Sequence, residues 1–201
     1  MPESAEDVYA RVVAQVGADG HLPMPPYGDW DVFPWEGENL RPRIVLPPSD
    51  EPARQGEDPA TCGCTGEAHA NAIWTDDVWE VRPPSGPSGL PLVLFICPLE
   101  HLDYEDLSEE MAASLGVLQV RLSKIISAMP NIGRVHVMKV GDGAVHLHVW
   151  VMARTARMTH VLGSPAIEWD EILPPVPEDV WRADLHTVAA ALATTSGRAL
   201  V

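Results

Sequence analysis

The run Val145-His146-Leu147-His148-Val149-Trp150-Val151-Met152-Ala153-Arg154 carries two imidazoles at alternate positions of an apolar segment. In a β-strand successive side chains point to opposite faces, so His146, His148, Trp150 and Met152 would share one face and Val145, Leu147, Val149 and Val151 the other. The Cα atoms of the two histidines would then lie about 6.6 Å apart, close enough to serve one site and too far to hydrogen-bond ring to ring. A neutral imidazole can ligate a metal, act as a base or attack as a nucleophile, and a solvated polar strand face would carry the same pattern.

Other residues add to this pair. Cys62-Gly63-Cys64 lies in a turn-like setting, and Cys97-Pro98-Leu99-Glu100-His101 follows an apolar run. Cys62, Cys64, His101 and His146 make a set of two thiolates and two imidazoles, the ligand mixture that a tetrahedral zinc takes. Zinc-binding cysteine pairs usually enclose at least two residues and this pair encloses one, so His69 is the alternative to one cysteine. In a third arrangement His146 and His148, with one acid or cysteine, hold a catalytic metal directly. Cys97, inside its apolar run, reads as a small buried hydrophobe. Three cysteines cannot form a disulfide framework and suit a reducing compartment.

The elements that must position these groups follow from periodicity. Residues 134–140 and 145–152 read as antiparallel strands joined by Gly141-Asp142-Gly143-Ala144, the composition of a tight hairpin connection. Residues 71–74 and 78–81 read as short strands about the turn Thr75-Asp76-Asp77, and 90–97 as a buried strand. Over 106–129, Leu107, Met111, Leu115, Leu118, Leu122, Ile125 and Met129 recur at helical steps; Asp106 with Glu109 resembles a capping box and Pro130 closes the helix. Two more helices are expected, over 5–16 before Gly17 and over 178–192, where Val180, Trp181, Leu185, Val188, Ala189 and Leu192 form a stripe. Trp30, Phe33 and Trp35 read as pins of an irregular, proline-rich front onto the core. The expected class is α+β: a single domain over 1–201 with an antiparallel sheet, one long helix, a proline-rich N-terminal extension over 1–61 and a C-terminal extension with a helix over 155–201.

Charge and hydropathy exclude other roles. With 29 acids against 13 bases and a net charge of −16, the chain has no basic face for a nucleic-acid backbone. A small anionic ligand, held by histidines, backbone N–H groups and one or two arginines, remains compatible with that charge. The densest apolar stretch, 90–98, falls far short of the ~20 residues of a membrane helix. The opening Met1-Pro2-Glu3-Ser4-Ala5-Glu6-Asp7 lacks the basic and apolar regions of a signal peptide, so a cytoplasmic protein is expected.

The order of cysteine pair, Gly66-Glu67, a hairpin ending in Asp76-Asp77, a Pro/Gly loop, a buried strand into Pro98-Leu99-Glu100-His101, the helix at Asp106-Leu107-Ser108-Glu109-Glu110 and the His-x-His strand resembles the histidine triad superfamily over 62–154. That superfamily includes nucleotide-binding hydrolases and the galactose-1-phosphate uridylyltransferase branch, which this sequence resembles more closely. The resemblance implies a HIT-like antiparallel sheet with His148 as nucleophile on an α-phosphorus. It also implies a structural zinc on His101 and His146 near the Cys62/Cys64 pair, and substrate contacts from Trp150, Arg154 and Gly143. The third histidine of the triad is replaced by Trp150, where the transferase branch has glutamine. Nor does the strand before Pro98 offer the further histidine found in the hydrolases; it has Leu92, Val93 and Leu94. The usual ribose-binding acid is absent near Pro83-Pro84.

Two functions are therefore expected as alternatives. One is a nucleotidyl transferase or nucleotide hydrolase that works through a covalent nucleotidyl-histidine on a nucleoside diphosphate-type substrate. The other is a zinc-stabilised, non-catalytic nucleotide- or metabolite-binding protein on the same fold. In either case the partner is a small phosphate-containing ligand rather than a nucleic acid or membrane. Many relatives dimerise through the long helix and sheet edge; here the added N- and C-terminal segments predict a monomer or a different dimer.

Overall fold

In the computed structural model the chain divides into two compact units, Met1–Pro52 and Ala53–Val201. The residues described are 13–21, 47–48, 50–63, 70–130, 132–159 and 161–201. In the first unit the described segment 13–21 is a turn, with Val16 N–H donating to the Val13 carbonyl and Gly17 N–H to that of His21. Most of the helix expected over 5–16, and Trp30, Phe33 and Trp35, lie outside the described residues.

The second unit has the expected α+β architecture. Among the described residues six strands, β1 (Trp74–Thr75), β2 (Trp79–Arg82), β3 (Leu92–Pro98), β4 (Ile132–Lys139), β5 (Val149–Thr155) and β6 (Arg198–Ala199), form one sheet in the order β4-β5-β3-β2-β1-β6. Every neighbouring pair is antiparallel. The β1–β2 turn is set by Asp76, whose carboxylate accepts from the N–H groups of Val78 and Trp79 at 2.9 and 2.7 Å. Strand β6 comes from the C-terminal segment; at Gly197 φ is +66°, and a Cβ there would run into the Trp74 ring and the Thr75 carbonyl, so glycine is required.

Among the described residues three α-helices accompany the sheet: α1 (Glu109–Ser127), α2 (Ala166–Ile172) and α3 (Glu178–Ala193). Leu115, Leu118, Leu122 and Ile126 of α1, with Trp181, Leu185, Val188 and Leu192 of α3, pack on Trp79, Val81, Leu94, Ile96, Val149 and Val151 of the sheet. That face is sealed. On the opposite face Ile167 and Trp169 of α2 pack with Leu90, Val93, Met152 and Val161.

The strand expected over 71–74 is confined to Trp74–Thr75, with Thr75 paired to Glu80 rather than in the turn, and two further boundaries are corrected. Helix α1 starts at Glu109 with Ser108 as its cap, the hydroxyl accepting from Met111 N–H at 3.1 Å. Asp106 belongs instead to a separate 3-10 turn, Tyr104–Asp106, where it pairs reciprocally with Asp103; extended backbone at Leu107 separates the two helices. The second correction moves β5. It begins at Val149 rather than Val145, and residues 140–148 form the connection. Long-range partners hold that connection: Gln55 N–H donates to the Gly143 carbonyl, Val145 N–H to that of Gln55 and Leu147 N–H to that of Leu102. Both histidines of the pair therefore precede the strand. Among the described residues no helix is long and apolar enough to cross a membrane.

Candidate functional site

The anchored connection sends the two histidines into different surroundings. His146 is buried, 6 % exposed, and its Nε2 lies 2.9 Å from the Pro98 carbonyl. A carbonyl only accepts, so Nε2 carries the proton and Nδ1 is the nitrogen left to ligate, the arrangement in which a second-shell carbonyl fixes the tautomer of a metal-bound imidazole. One ligand atom each from His146, His101 and Cys62 lies within 4.8 Å of the others. These three residues come from separate segments: Cys62 follows the 3-10 turn Pro59–Thr61, His101 follows β3 and His146 lies in the connection.

Backbone packs closely beneath this group. Gly56 has φ +82°, and a Cβ at that position would sit 3.3 Å from the Cys62 Cβ and 3.5 Å from His101 Cε1. The donor set, one thiol and two imidazoles converging in a largely buried setting, fits a zinc ion. Cys64 and His69, the expected candidates for the remaining position, lie outside the described residues.

The same segments are clamped nearby by Asp103, which is 4 % exposed. Its carboxylate accepts from Arg54 Nη1 at 2.7 Å and lies 3.5 Å from Lys139 Nζ, while Arg54 Nη1 also donates to the Gly141 carbonyl at 3.1 Å. Burial pushes the Asp103 carboxyl up, but the Tyr104 N–H, the Arg54 guanidinium and Lys139 together outweigh it and hold the carboxyl below the ordinary aspartate range. Arg54 and Gln55 thus tie the chain before Cys62 to the loop that carries both histidines.

His148 turns elsewhere. Its Nδ1 lies 2.9 Å from the carbonyl of His146, so by the same reasoning Nδ1 is the protonated nitrogen and Nε2 keeps its lone pair. The ring lines a cleft of about 770 Å³ with Trp150, Phe95, Arg82, Asn71 and the Pro83-Pro84-Ser85 rim. Phe95 and Trp150 meet edge to face with centroids 4.7 Å apart, and Phe95 lies 6.3 Å from the His148 ring. An imidazole of fixed tautomer beside an aromatic wall in an open cleft is equipped to act as a nucleophile or base.

The remaining expected residues divide between the cleft and other places. Trp150 lines the cleft, although its indole N–H is buried with no hydrogen-bond partner among the described residues. Arg154 and Gly143 are not among the described lining residues. Arg154 sits near the far end of β5, opposite Arg134 in register, with Nη1 donating to the Thr155 carbonyl at 3.1 Å. Burial, and secondarily the charge of Arg154, hold nearby His136 below the ordinary imidazole range. Gly143 contributes its carbonyl to Gln55. Sequence reasoning missed Arg82, Asn71 and the buried Glu80. The available signal was the alternation Trp79-Glu80-Val81-Arg82, which puts two charged side chains on the face opposite the core.

No protein-family model matches the chain, and no curated protein matches it. Solved structures to which it is similar include a zinc-bound histidine triad family protein from Mycobacterium smegmatis, at 18 % identity over 66 % of this chain and 93 % of that one, with a TM-score of 0.48. A hypothetical histidine triad nucleotide-binding protein from Sulfolobus tokodaii shares 13 % identity over 62 % of this chain and 84 % of its own, with a TM-score of 0.47. A histidine triad protein from Bradyrhizobium japonicum shares 18 % identity over 61 % and 87 %, also with a TM-score of 0.47.

Proposed function

We propose that this protein is a nucleotide-binding member of the histidine triad superfamily that transfers or hydrolyses a nucleotidyl group through His148. One observation carries the reading: the His148 Nδ1 to His146 carbonyl contact, which in the neutral ring leaves the lone pair on Nε2, in a residue that lines the cleft. Nε2 attacks the α-phosphorus of a nucleoside diphosphate-type substrate, and the bond from phosphorus to the leaving oxygen breaks as the nitrogen–phosphorus bond forms. The leaving group departs as an anion. Water or an acceptor phosphate then displaces His148 from phosphorus, and where water attacks, its proton passes to solvent.

Trp150 shapes the substrate range. An indole N–H donates a hydrogen bond and does not surrender its proton at neutral pH, so phosphate or sugar phosphate leaving groups are favoured and amine leaving groups depart slowly. Cys62, His101 and His146, with Cys64 or His69, would hold a zinc that cross-links three segments of the fold. Phe95, Trp150 and the proline rim offer apolar surface suited to a nucleobase.

The test is to mix protein with candidate nucleoside diphosphate compounds and look by intact mass for an acid-labile adduct. The adduct is expected in the wild type and absent in His148→Ala. Turnover of any such compound by His148→Ala at the wild-type rate would remove His148 as nucleophile. A second reading, a binding protein without turnover, is favoured by one observation: the described cleft lining holds no carboxylic acid and no second imidazole to protonate a leaving group. Thermal stabilisation by nucleotides with no adduct would select it.

A further inference from the structure

We infer that Arg134 and Arg154, with His136 beside them, form an anion site on the sheet, separate from the cleft, that takes the dianionic phosphoryl group of free phosphate or a small phosphate ester. Arg134 and Arg154 are register partners on the antiparallel pair β4–β5, so both side chains leave the same face. The next pair along, Val135 and Ala153, packs in the main core, which puts the two arginines on the opposite face. His136 follows two residues after Arg134 on that face and is diagonal to Arg154 across the strands, a Cα separation of about 7–8 Å. The cleft lies elsewhere on β5. Arg154 is four residues beyond Trp150, roughly 13 Å along the strand, and neither arginine is among the described lining residues of the cleft.

Backbone carbonyls, not carboxylates, hold the two guanidinium groups. Arg134 Nη1 donates to the Gly133 carbonyl at 2.7 Å and Arg154 Nη1 to the Thr155 carbonyl at 3.1 Å. Room for the second contact depends on Gly133, since a Cβ there would meet Arg154 Nη1 at 2.7 Å and the Thr155 carbonyl at 3.1 Å. A carbonyl orients a guanidinium without cancelling its charge, and each fork keeps its remaining N–H donors. Neither arginine has an ion-pair partner among the described residues, although the chain has 29 acids to 13 bases. Like charges directly opposite on neighbouring strands repel, so an anion between the two forks relieves a repulsion built into the sheet. His136 adds a third group: its Nε2 is buried with no hydrogen-bond partner among the described residues. Two planar forks from neighbouring strands offer paired hydrogen bonds to a tetrahedral phosphate, whereas a carboxylate has two oxygens and one charge to divide between them.

The test is a titration of the full chain with inorganic phosphate, followed by backbone amide resonances at constant ionic strength and about pH 7.5, where a phosphate monoester is close to fully dianionic. Acetate serves as the monoanionic control and glycerol phosphate as a small ester. Saturable shifts are expected at Gly133, Arg134, His136, Arg154 and Thr155, with phosphate half-saturating at a concentration about fivefold or more below acetate. Arg134 is exposed and bonds its neighbour's carbonyl, so Arg134→Gln should fold normally and weaken phosphate about tenfold. It should also melt no lower than wild type in phosphate-free buffer, and lose the rise in Tm that phosphate gives the wild type. Arg154→Lys keeps the charge without the fork and should erase the preference for phosphate over acetate. Saturation by both phosphate and glycerol phosphate supports a site for small esters; saturation by phosphate alone supports a site for the free ion. Shifts that do not saturate, an equal response to acetate, shifts confined to Phe95 and Trp150 in the cleft, or an affinity unchanged in Arg134→Gln each overturn the inference. No readout here depends on an adduct at His148, so the nucleotide reading stands or falls separately.

Discussion

His146 and His148 stand two residues apart on one connection, yet one is enclosed with Cys62 and His101 and the other opens on a cleft against Phe95 and Trp150. The division comes from backbone anchoring. Gln55 and Leu102 hold residues 143–147, and the carbonyl of the enclosed His146 in turn fixes the tautomer of His148. A rigid group thus sets the orientation of a reactive one through a single carbonyl. The two sides should respond differently to substitution, the enclosed side in stability and the open side in chemistry.

The largest effects belong to the enclosed side. Cys62→Ser or His101→Ala should lower stability by several kcal/mol and abolish near-stoichiometric zinc, because ligands of a structural site contribute folding free energy directly. Denaturation with parallel elemental analysis checks this; full stability with no metal in the wild type would show that the enclosed group is not a zinc site. On the sealed face, Leu122→Ala, at a fully buried position of α1, should cost about 2–5 kcal/mol in chemical denaturation.

Asp103 supplies a pH-dependent version of the same contrast. Its folded-state pKa is depressed, so its stabilising contribution is present above the unfolded value of about 3.9 and is lost as pH falls through the folded value. Asp103→Asn should therefore lower Tm by several degrees at pH 6, and the gap from wild type should narrow as pH falls from 5 to 2. A gap that widens in acid would contradict the assignment.

Helical spacing located α1, since Leu115, Leu118 and Leu122 of the predicted stripe are buried, although the fourth buried position is Ile126 rather than Ile125; α3 fell on the predicted stripe from Trp181 to Leu192, while Val180 at its head is exposed. Strand β3 was legible as a short apolar run. Local pattern failed where distant residues took over the backbone. Gly141-Asp142-Gly143-Ala144 has hairpin composition, but Gln55 pairs with its end and delays β5 to Val149. Helix α2 was hidden by flanking prolines in a stretch too short for periodicity to register. At the site, the residue types of Cys62, His101, His146 and His148 were visible, whereas the separate destinations of the two histidines depend on anchors drawn from an aperiodic segment. Arg82 was overlooked because the strand was read to end at Val81, one residue short of it.

Smaller effects sharpen the open side. His148→Ala should change stability by less than about 0.5 kcal/mol while removing the nucleotidyl adduct, as measured by denaturation and intact mass on the same preparation. The smallest effect lies away from both regions, on α3. Burial pushes the Asp184 carboxyl up, so its charged form is disfavoured in the folded chain and stability declines as pH rises through that shifted pKa. Asp184→Asn should raise Tm by about a degree at pH 7 and by nothing measurable at pH 3, in calorimetric scans.

The division between the two histidines is tested most directly by the zinc content of purified wild type, His146→Ala and His148→Ala, measured side by side by elemental analysis. Close to one zinc per chain is expected in the wild type and in His148→Ala, and little or none in His146→Ala. Loss of zinc from His148→Ala to the same extent as from His146→Ala would place both imidazoles on the metal and contradict it.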